Sequence, residues 1–224
     1  GRSVGSIGHV GAWSYCQDKI MTTGGEGGMV TTNDENVWRT MWAYKDHGKS
    51  YAAVYERQHE PGFRWLHESY GTNWRMLEMQ AVIGRIQLKR MSQWTAVRKE
   101  NAKRLRGACE DAPGLRLSQP NENIEHANYK FYVYVELDKL NLGWSRDRIV
   151  NEINALGVPC FQGSCSEVYL EKAFDGTGWR PSERLINAHE LGESSLMFLV
   201  HPTLTVAEIN KTCEVIKVVM EKAC

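Results

Sequence analysis

The chain has 224 residues, and its 27 Lys and Arg balance 27 Asp and Glu, so it carries no net charge. Hydrophobic residues at 42% and charged residues at 24% match an ordinary globular protein, and the balance gives no general attraction to nucleic acid or anionic membrane. No apolar run reaches the roughly 20 residues of a membrane-spanning helix, and no secretory leader pattern is read at the start, so a cytoplasmic protein is expected.

In chain order, "GAWSYC" (11–16) and "GMVTT" (28–32) are short β-branched or aromatic runs bounded by glycine, which predicts two strands. Asn33 is placed to cap a helix through Val37, Trp38, Met41 and Trp42, with Gly48 as its stop. Residues 49–72 are aromatic without period and read as an ordered loop. Met76, Met79, Ile83 and Ile86 then open a long helix at 3–4 spacing, which "APG" (112–114) ends. Beyond it, "NYKFYVYVEL" (128–137) and "LMFLV" (196–200) predict strands. "SRDRIVNEINALG" (145–157) predicts a helix with Ile149, Ile153 and Leu156 on one face and Gly157 as its stop. Thr205 and Glu208 form a capping pair for a last amphipathic helix over 205–223. Strands alternating with helices give an α/β class, divided near Pro113 into 1–112 and 113–224. The six cysteines are scattered, and Cys160 and Cys165 lack a nearby histidine pair, so reduced thiols are expected and no metal site.

Lys19 lies after the first aromatic strand and just before Gly24, Gly25, Glu26, Gly27 and Gly28. Lysine is the residue of Schiff-base chemistry, because burial and nearby cations free its amine, and Ser14 offers a hydroxyl to an anion beside it. A solvated surface lysine and a plain turn between two strands are the simpler alternatives, and the residues alone leave both open.

The stretch "WSYCQDKIMTTGGEGGMVTTND" (13–34) resembles the cofactor-lysine segment of the DegT/DnrJ/EryC1/StrS sugar aminotransferases, and "SYGTNWRMLEMQAVIGRIQLKRM" (69–91) resembles a second motif of that family. "NYKFYVYVEL", "SRDRIVNEINALGVP" and "HPTLTVAEIN" are similar to its small C-terminal domain in order and spacing. The resemblance implies the C-terminal part of a large pyridoxal-phosphate-binding domain of fold type I, including a long linking helix (1–112). A small α+β domain would follow (113–224). It implies Lys19 as the Schiff-base lysine and proton shuttle, and Ser14 as a phosphate ligand. Asn73 would reach the phosphate in a neighbouring subunit, since these enzymes are dimers with shared active sites. Arg75 would face the nucleotide-sugar, and Gln162 and Ser164 are further candidates for that substrate, beside the alternative of an ordinary loop.

The implied activity is pyridoxal-phosphate-dependent transfer of an amino group from glutamate to a nucleotide-linked keto-sugar, for surface polysaccharide or secondary metabolites. Related dehydratases carry histidine in place of the lysine, and Lys19 argues against that class. Tyr15 and Trp74 replace the family's usual phenylalanine and tyrosine, and Gly24–Gly25 adds a glycine before the glutamate. Family members carry a long segment ahead of the lysine motif, including the aspartate that pairs with the cofactor ring nitrogen. This sequence is therefore expected to be a C-terminal portion that is inactive alone, with an exposed sheet edge. A non-catalytic binding or scaffold module with the same fold is the alternative. His47 reads as a structural turn residue. The eight basic residues of 85–106, against the single acid Glu100, read as a solvated helix face.

Overall fold

The computed structural model describes residues 1–224 and contains two compact units, Gly1–Met91 and Ser92–Cys224. Helix and sheet are mixed in the chain, as the alternating pattern predicts. The composition boundary at Pro113 marks the end of the long helix, whereas the compact units part within that helix.

In the first unit β1 (Gly11–Ser14) and β2 (Gly28–Thr31) pair antiparallel, with Trp13 opposite Met29 and Ser14 opposite Gly28. Helix α1 (Glu35–Lys45) is capped one residue later than Asn33. The Asp34 carboxylate accepts the N–H groups of Asn36 and Val37 at 2.8 and 3.1 Å; its full charge also complements the positive end of the helix dipole, which an amide does not. Gly48 ends this segment with φ +81° and donates its N–H to the Ala43 carbonyl at 2.8 Å. A Cβ there would meet the Ser69 carbonyl oxygen at 1.7 Å, so only glycine lets the two segments cross. The predicted loop contains one π-helical turn, Ala52–Glu56. It is organised by a ring cluster of Trp38, Trp42, Tyr51 and Tyr55 with centroids 4.9–6.1 Å apart.

Helix α2 (Glu78–Glu110) continues from the first unit into the second. On its first turns the predicted stripe divides: Met79 is 74% and Ile86 49% exposed, whereas Ile83 is half-buried beside Gly24. On its last turns Ala102, Leu105, Cys109 and the following Ala112 enter the core of the second unit. The change from open to covered face occurs along a single uninterrupted helix.

The second unit is a four-stranded antiparallel sheet in the order β3 (Leu115–Leu117), β4 (Phe131–Val135), β6 (Ser195–Phe198), β5 (Cys160–Phe161). Along β4, Phe131, Val133 and Val135 are buried while Tyr132 and Tyr134 are partly exposed, the period of two that a strand with one covered face requires. Helix α3 (Arg146–Ala155) and helix α5 (Val206–Ala223) cover the apolar side. Ile149 and Ile153 of α3 are fully buried, but Leu156, expected on the same face, is 45% exposed because it caps the helix end. Thr205 and Glu208 form the expected capping box of α5. A short helix, α4 (Ile186–Ser194), precedes β6. It, β3 and β5 are absent from the sequence reading, because two- and three-residue strands and an uncapped helix carry too little periodic signal.

Candidate active site

The lysine turn is closed at its base by Tyr15. Its N–H donates to the Gly27 carbonyl at 2.8 Å, and its carbonyl accepts the Thr22 hydroxyl at 2.9 Å and the Thr23 N–H at 3.3 Å. Residues 16–22 therefore leave the sheet as a tight excursion carrying Lys19. The Lys19 N–H donates to the Cys16 carbonyl at 3.1 Å. Its Nζ lies 3.1 Å from the Asp18 carboxylate, and the side chain is partly exposed. Ser14 ends β1 next to this excursion, and its hydroxyl accepts the Cys16 N–H at 3.5 Å.

The glycines have a structural role on the other side of the turn. Gly24 and Gly25 take φ +85° and +128°, and a Cβ at Gly27 would stand 2.1 Å from the Thr23 hydroxyl oxygen. Thr23 is buried there and donates to the Glu26 carbonyl at 2.8 Å.

Helix α2 braces this turn through one face. Gln80 donates to the Glu26 carbonyl at 2.8 Å, and Gln87 accepts the Thr22 N–H at 2.9 Å. Between them Gly84 brings the helix so close that a Cβ would meet the Thr23 methyl at 2.9 Å. Positions 80, 84 and 87 share a helix face at four- and three-residue spacing. Sequence reasoning assigned these three residues no role. The signal was available in two glutamines a heptad apart flanking a glycine, but only the fold shows which backbone they serve.

Asn73 and Arg75 are brought together in a second cluster. The Asn73 side-chain oxygen accepts from Arg75 at 3.0 Å, and Arg75 reaches the Asp46 carboxylate at 2.9 Å. Asp46 is also 3.3 Å from Lys49. The segments bearing them are laced by backbone bonds from His47 to Thr72, Thr72 to Tyr44 and Trp74 to Lys45 at 2.6–2.9 Å. Burial pushes the Asp46 carboxyl upward, but hydrogen bonding from Lys49 and the charges of Lys49, Arg75 and Lys45 outweigh it and hold it below its usual range. Burial lowers Lys45, whose ammonium lies 3.7 Å from the centroid of the Trp42 ring. His47 takes φ 60° and stands 3.5 Å from Arg75, so it belongs to this cluster as well as to the turn. Asp46 carried no sequence-based expectation.

A cavity of about 760 Å³ in the first unit is a mostly apolar groove lined by Trp13, Met29, Trp38, Met41, Trp42 and Arg75 among others. Lys19, Ser14 and Asn73 are not part of its wall. The wall is mostly apolar surface of β1, β2 and α1 together with Trp74 and Met76, and it includes two cations, Lys45 and Arg75.

Gln162 and Ser164 lie in the second unit. Gln162 donates to Asp147 at 2.7 Å, and its carbonyl accepts the Ser195 hydroxyl; Ser164 is exposed. The long loop that follows is held by Glu167. Its carboxylate receives Arg184 at 2.8 and 2.7 Å and the Tyr169 hydroxyl at 2.7 Å. Among the basic residues of α2, Arg98 is only 2% exposed and donates to the Tyr129 carbonyl at 3.1 Å. The solvated-face expectation therefore fails for Arg98.

A family model described as the DegT/DnrJ/EryC1/StrS aminotransferase family matches residues 1–217. The chain belongs to that family. It is similar to an aminotransferase structure from Psychrobacter cryohalolentis, with 67% identity and a TM-score of 0.95, over 100% of this chain and 58% of that one. It is 30% identical over 161 residues to the GDP-perosamine synthase of Caulobacter vibrioides, covering 70% of this chain and 39% of that protein. At 23% identity and a TM-score of 0.80, it shares its fold with the E. coli GDP-4-keto-6-deoxy-D-mannose-3-dehydratase with bound hydrated PLP, over 96% of this chain and 56% of that one. The chain thus spans between 39% and 58% of the length of these three proteins.

Proposed function

We propose that this chain supplies the lysine-bearing part of a pyridoxal-phosphate-dependent aminotransferase acting on a nucleotide-linked keto-sugar. The observation that supports it best is the braced turn: Lys19 stands on a short excursion clamped from below by Tyr15 and from behind by Gln80 and Gln87. A reacting amine needs such a platform, because misplacement by about 1 Å costs on the order of a hundredfold in rate.

The donor set fits the cofactor. Lys19 offers an amine to an aldehyde carbon, and Ser14 offers a hydroxyl to a phosphate from the adjoining strand end. Pyridoxal phosphate, when bound, supplies the electron sink for moving an amino group between carbon centres. In this reading Lys19 holds and returns the proton at the reacting carbon, and Asp18 keeps the amine on its side of the turn until it is deprotonated. Asn73 and Arg75, held by Asp46, present an amide and a guanidinium to phosphate oxygens, Asn73 across a homodimer interface and Arg75 toward the nucleotide-sugar. Gln162 and Ser164 are proposed to contact the same substrate, and glutamate is proposed as the donor. The exposed Met79, Val82 and Ile86 of α2 and Phe63, Trp65, Tyr70, Trp74 and Leu77 before it support a dimer surface, since so many large apolar side chains left open in one stretch of chain mark a contact.

The test is to incubate the chain with pyridoxal phosphate, reduce with borohydride and map the adduct by mass spectrometry. The expected outcome is a pyridoxyl group on Lys19 that is lost in Lys19→Ala while other lysines stay unlabelled. Labelling scattered over surface lysines, or none, would overturn the reading in favour of a non-catalytic module.

A further inference from the structure

The cluster around Asp46 has an internal order. Asp46 closes the end of α1 and lies opposite Asn73 in an isolated antiparallel bridge. Residues directly opposed in such a pair carry their side chains on one face, and in extended chain the second residue on returns to that face. Asp46, Asn73 and Arg75 meet there.

Arg75 stands between the other two. Its Nη1 donates to Asp46 Oδ1 at 2.9 Å, and its Nη2 donates to the Asn73 side-chain oxygen at 3.0 Å. The carboxylate is the anchored end: the Asp46 side chain is 15% exposed and also lies 3.3 Å from the Lys49 ammonium. The backbone beside Asn73 is anchored as well, since the N–H groups of Thr72 and Trp74 donate to the Tyr44 and Lys45 carbonyls at 2.6 and 2.9 Å.

This order decides which end of the Asn73 amide faces away from the cluster. A guanidinium has donors and no acceptor, so the amide turns its oxygen toward Arg75; the flipped amide would set N–H against N–H. The NH2 group is left on the side away from the guanidinium, on an exposed residue. A phosphate dianion offers acceptor oxygens, so only the NH2 end of the amide can serve it.

We infer that Asp46 and Arg75 are positioning residues for Asn73. The carboxylate holds the guanidinium, and the guanidinium holds the amide with its NH2 group turned to the phosphate. The inference rests on the proposed reading of Asn73 as a ligand of the cofactor phosphate, and it adds a role for Asp46, which touches neither cofactor nor substrate in that reading. Arg75 retains further N–H donors for the nucleotide-sugar.

The experiment measures how labelling of Lys19 in the full chain depends on the concentration of pyridoxal phosphate and, separately, of pyridoxal, each trapped with borohydride. The two aldehydes differ only in the phosphate. In Asp46→Ala the half-saturating concentration of pyridoxal phosphate should rise about tenfold, as loss of a hydrogen bond to a charged group implies, while that of pyridoxal stays within about twofold. Asn73→Ala should give the same selective rise. The double variant should be no weaker than Asn73→Ala alone, because a positioning residue acts only through the group it holds. Unchanged or tighter pyridoxal phosphate in Asp46→Ala, or an effect that adds in full to that of Asn73→Ala, would overturn the inference and leave the proposed function standing. An equal rise for both aldehydes would overturn it too, since Asp46 would then support the fold without serving the phosphate. Absence of a Lys19 adduct on the unaltered chain would overturn the proposed function and this inference together. If Asp46→Ala loses its fold, Asp46→Asn, which keeps the shape and removes the charge, decides by the same comparison.

Discussion

The two compact units distribute their apolar residues in opposite ways. In residues 1–91 the buried hydrophobic residues are Ala43, Ala53 and Leu66, while Met29, Val30, Met79 and Val82 are at least half exposed. In residues 92–224 a continuous core runs from Ala102 through Phe131, Ile149 and Phe198 to Ala223. The second unit covers its own sheet with its own helices. The first holds its shape through backbone bonds, glycine crossings and a ring cluster, and keeps its apolar surface outward. Burial drives folding in proportion to the area removed from water, so the second unit has the stronger internal reason to fold.

Ile153→Ala sharpens this contrast most. Ile153 is fully buried, and its truncation should cost about 2–5 kcal/mol, read as a lower urea midpoint for protection of the Val133 amide. Met79→Ser in the first unit, at 74% exposure, should change the monomer's stability by less than about 0.5 kcal/mol. Equal losses in the two variants would erase the distinction between the units.

A smaller effect is expected where the first unit is tightly packed. Gly84→Val would force a side chain against Thr23 and should cost about 1–3 kcal/mol. Hydrogen exchange at the Thr22 amide, held by Gln87, should quicken, and labelling of Lys19 should fall. Unchanged protection at Thr22 would mean that α2 does not brace the lysine turn.

The subtlest effect concerns a loop of the second unit that lies outside its apolar core. The Glu167 carboxyl is lowered from 4.5 to about 2, first by the Arg184 hydrogen bonds and next by that from Tyr169. A carboxyl depressed on folding contributes stability that is present above its unfolded pKa and lost as pH falls through the folded one. The loop carrying Tyr169 and Arg184 should therefore loosen between about pH 4.5 and pH 2, seen as exchange at the Leu185 amide that the Tyr169 hydroxyl holds. Glu167→Gln should remove this acid dependence. A loop equally protected throughout that range would show that the pairing does not order it.

Much of the fold was legible in local chemistry. The β4 alternation, the Thr205–Glu208 box and the stops at Gly48 and Gly157 each follow from one element and its own residues, so they were readable without neighbours. Lys19, Ser14, Asn73 and Arg75 were also picked out, because two long motifs in order resemble one family. Asp46, Gln80, Gly84 and Gln87 were not, since each acts on a partner distant in the chain: Asp46 on Arg75, Gln80 on Glu26, Gly84 on Thr23 and Gln87 on Thr22.

Sequence alone determined the α/β class, the family and the candidate lysine, because period, caps and motif order are properties of neighbouring residues. Tertiary structure alone decided where α2 turns from exposed to covered, which groups clamp the lysine turn, and that Arg75 joins Asp46 to Asn73. Those outcomes depend on which surfaces meet, and a side chain's burial is set by what packs against it rather than by its place in a pattern.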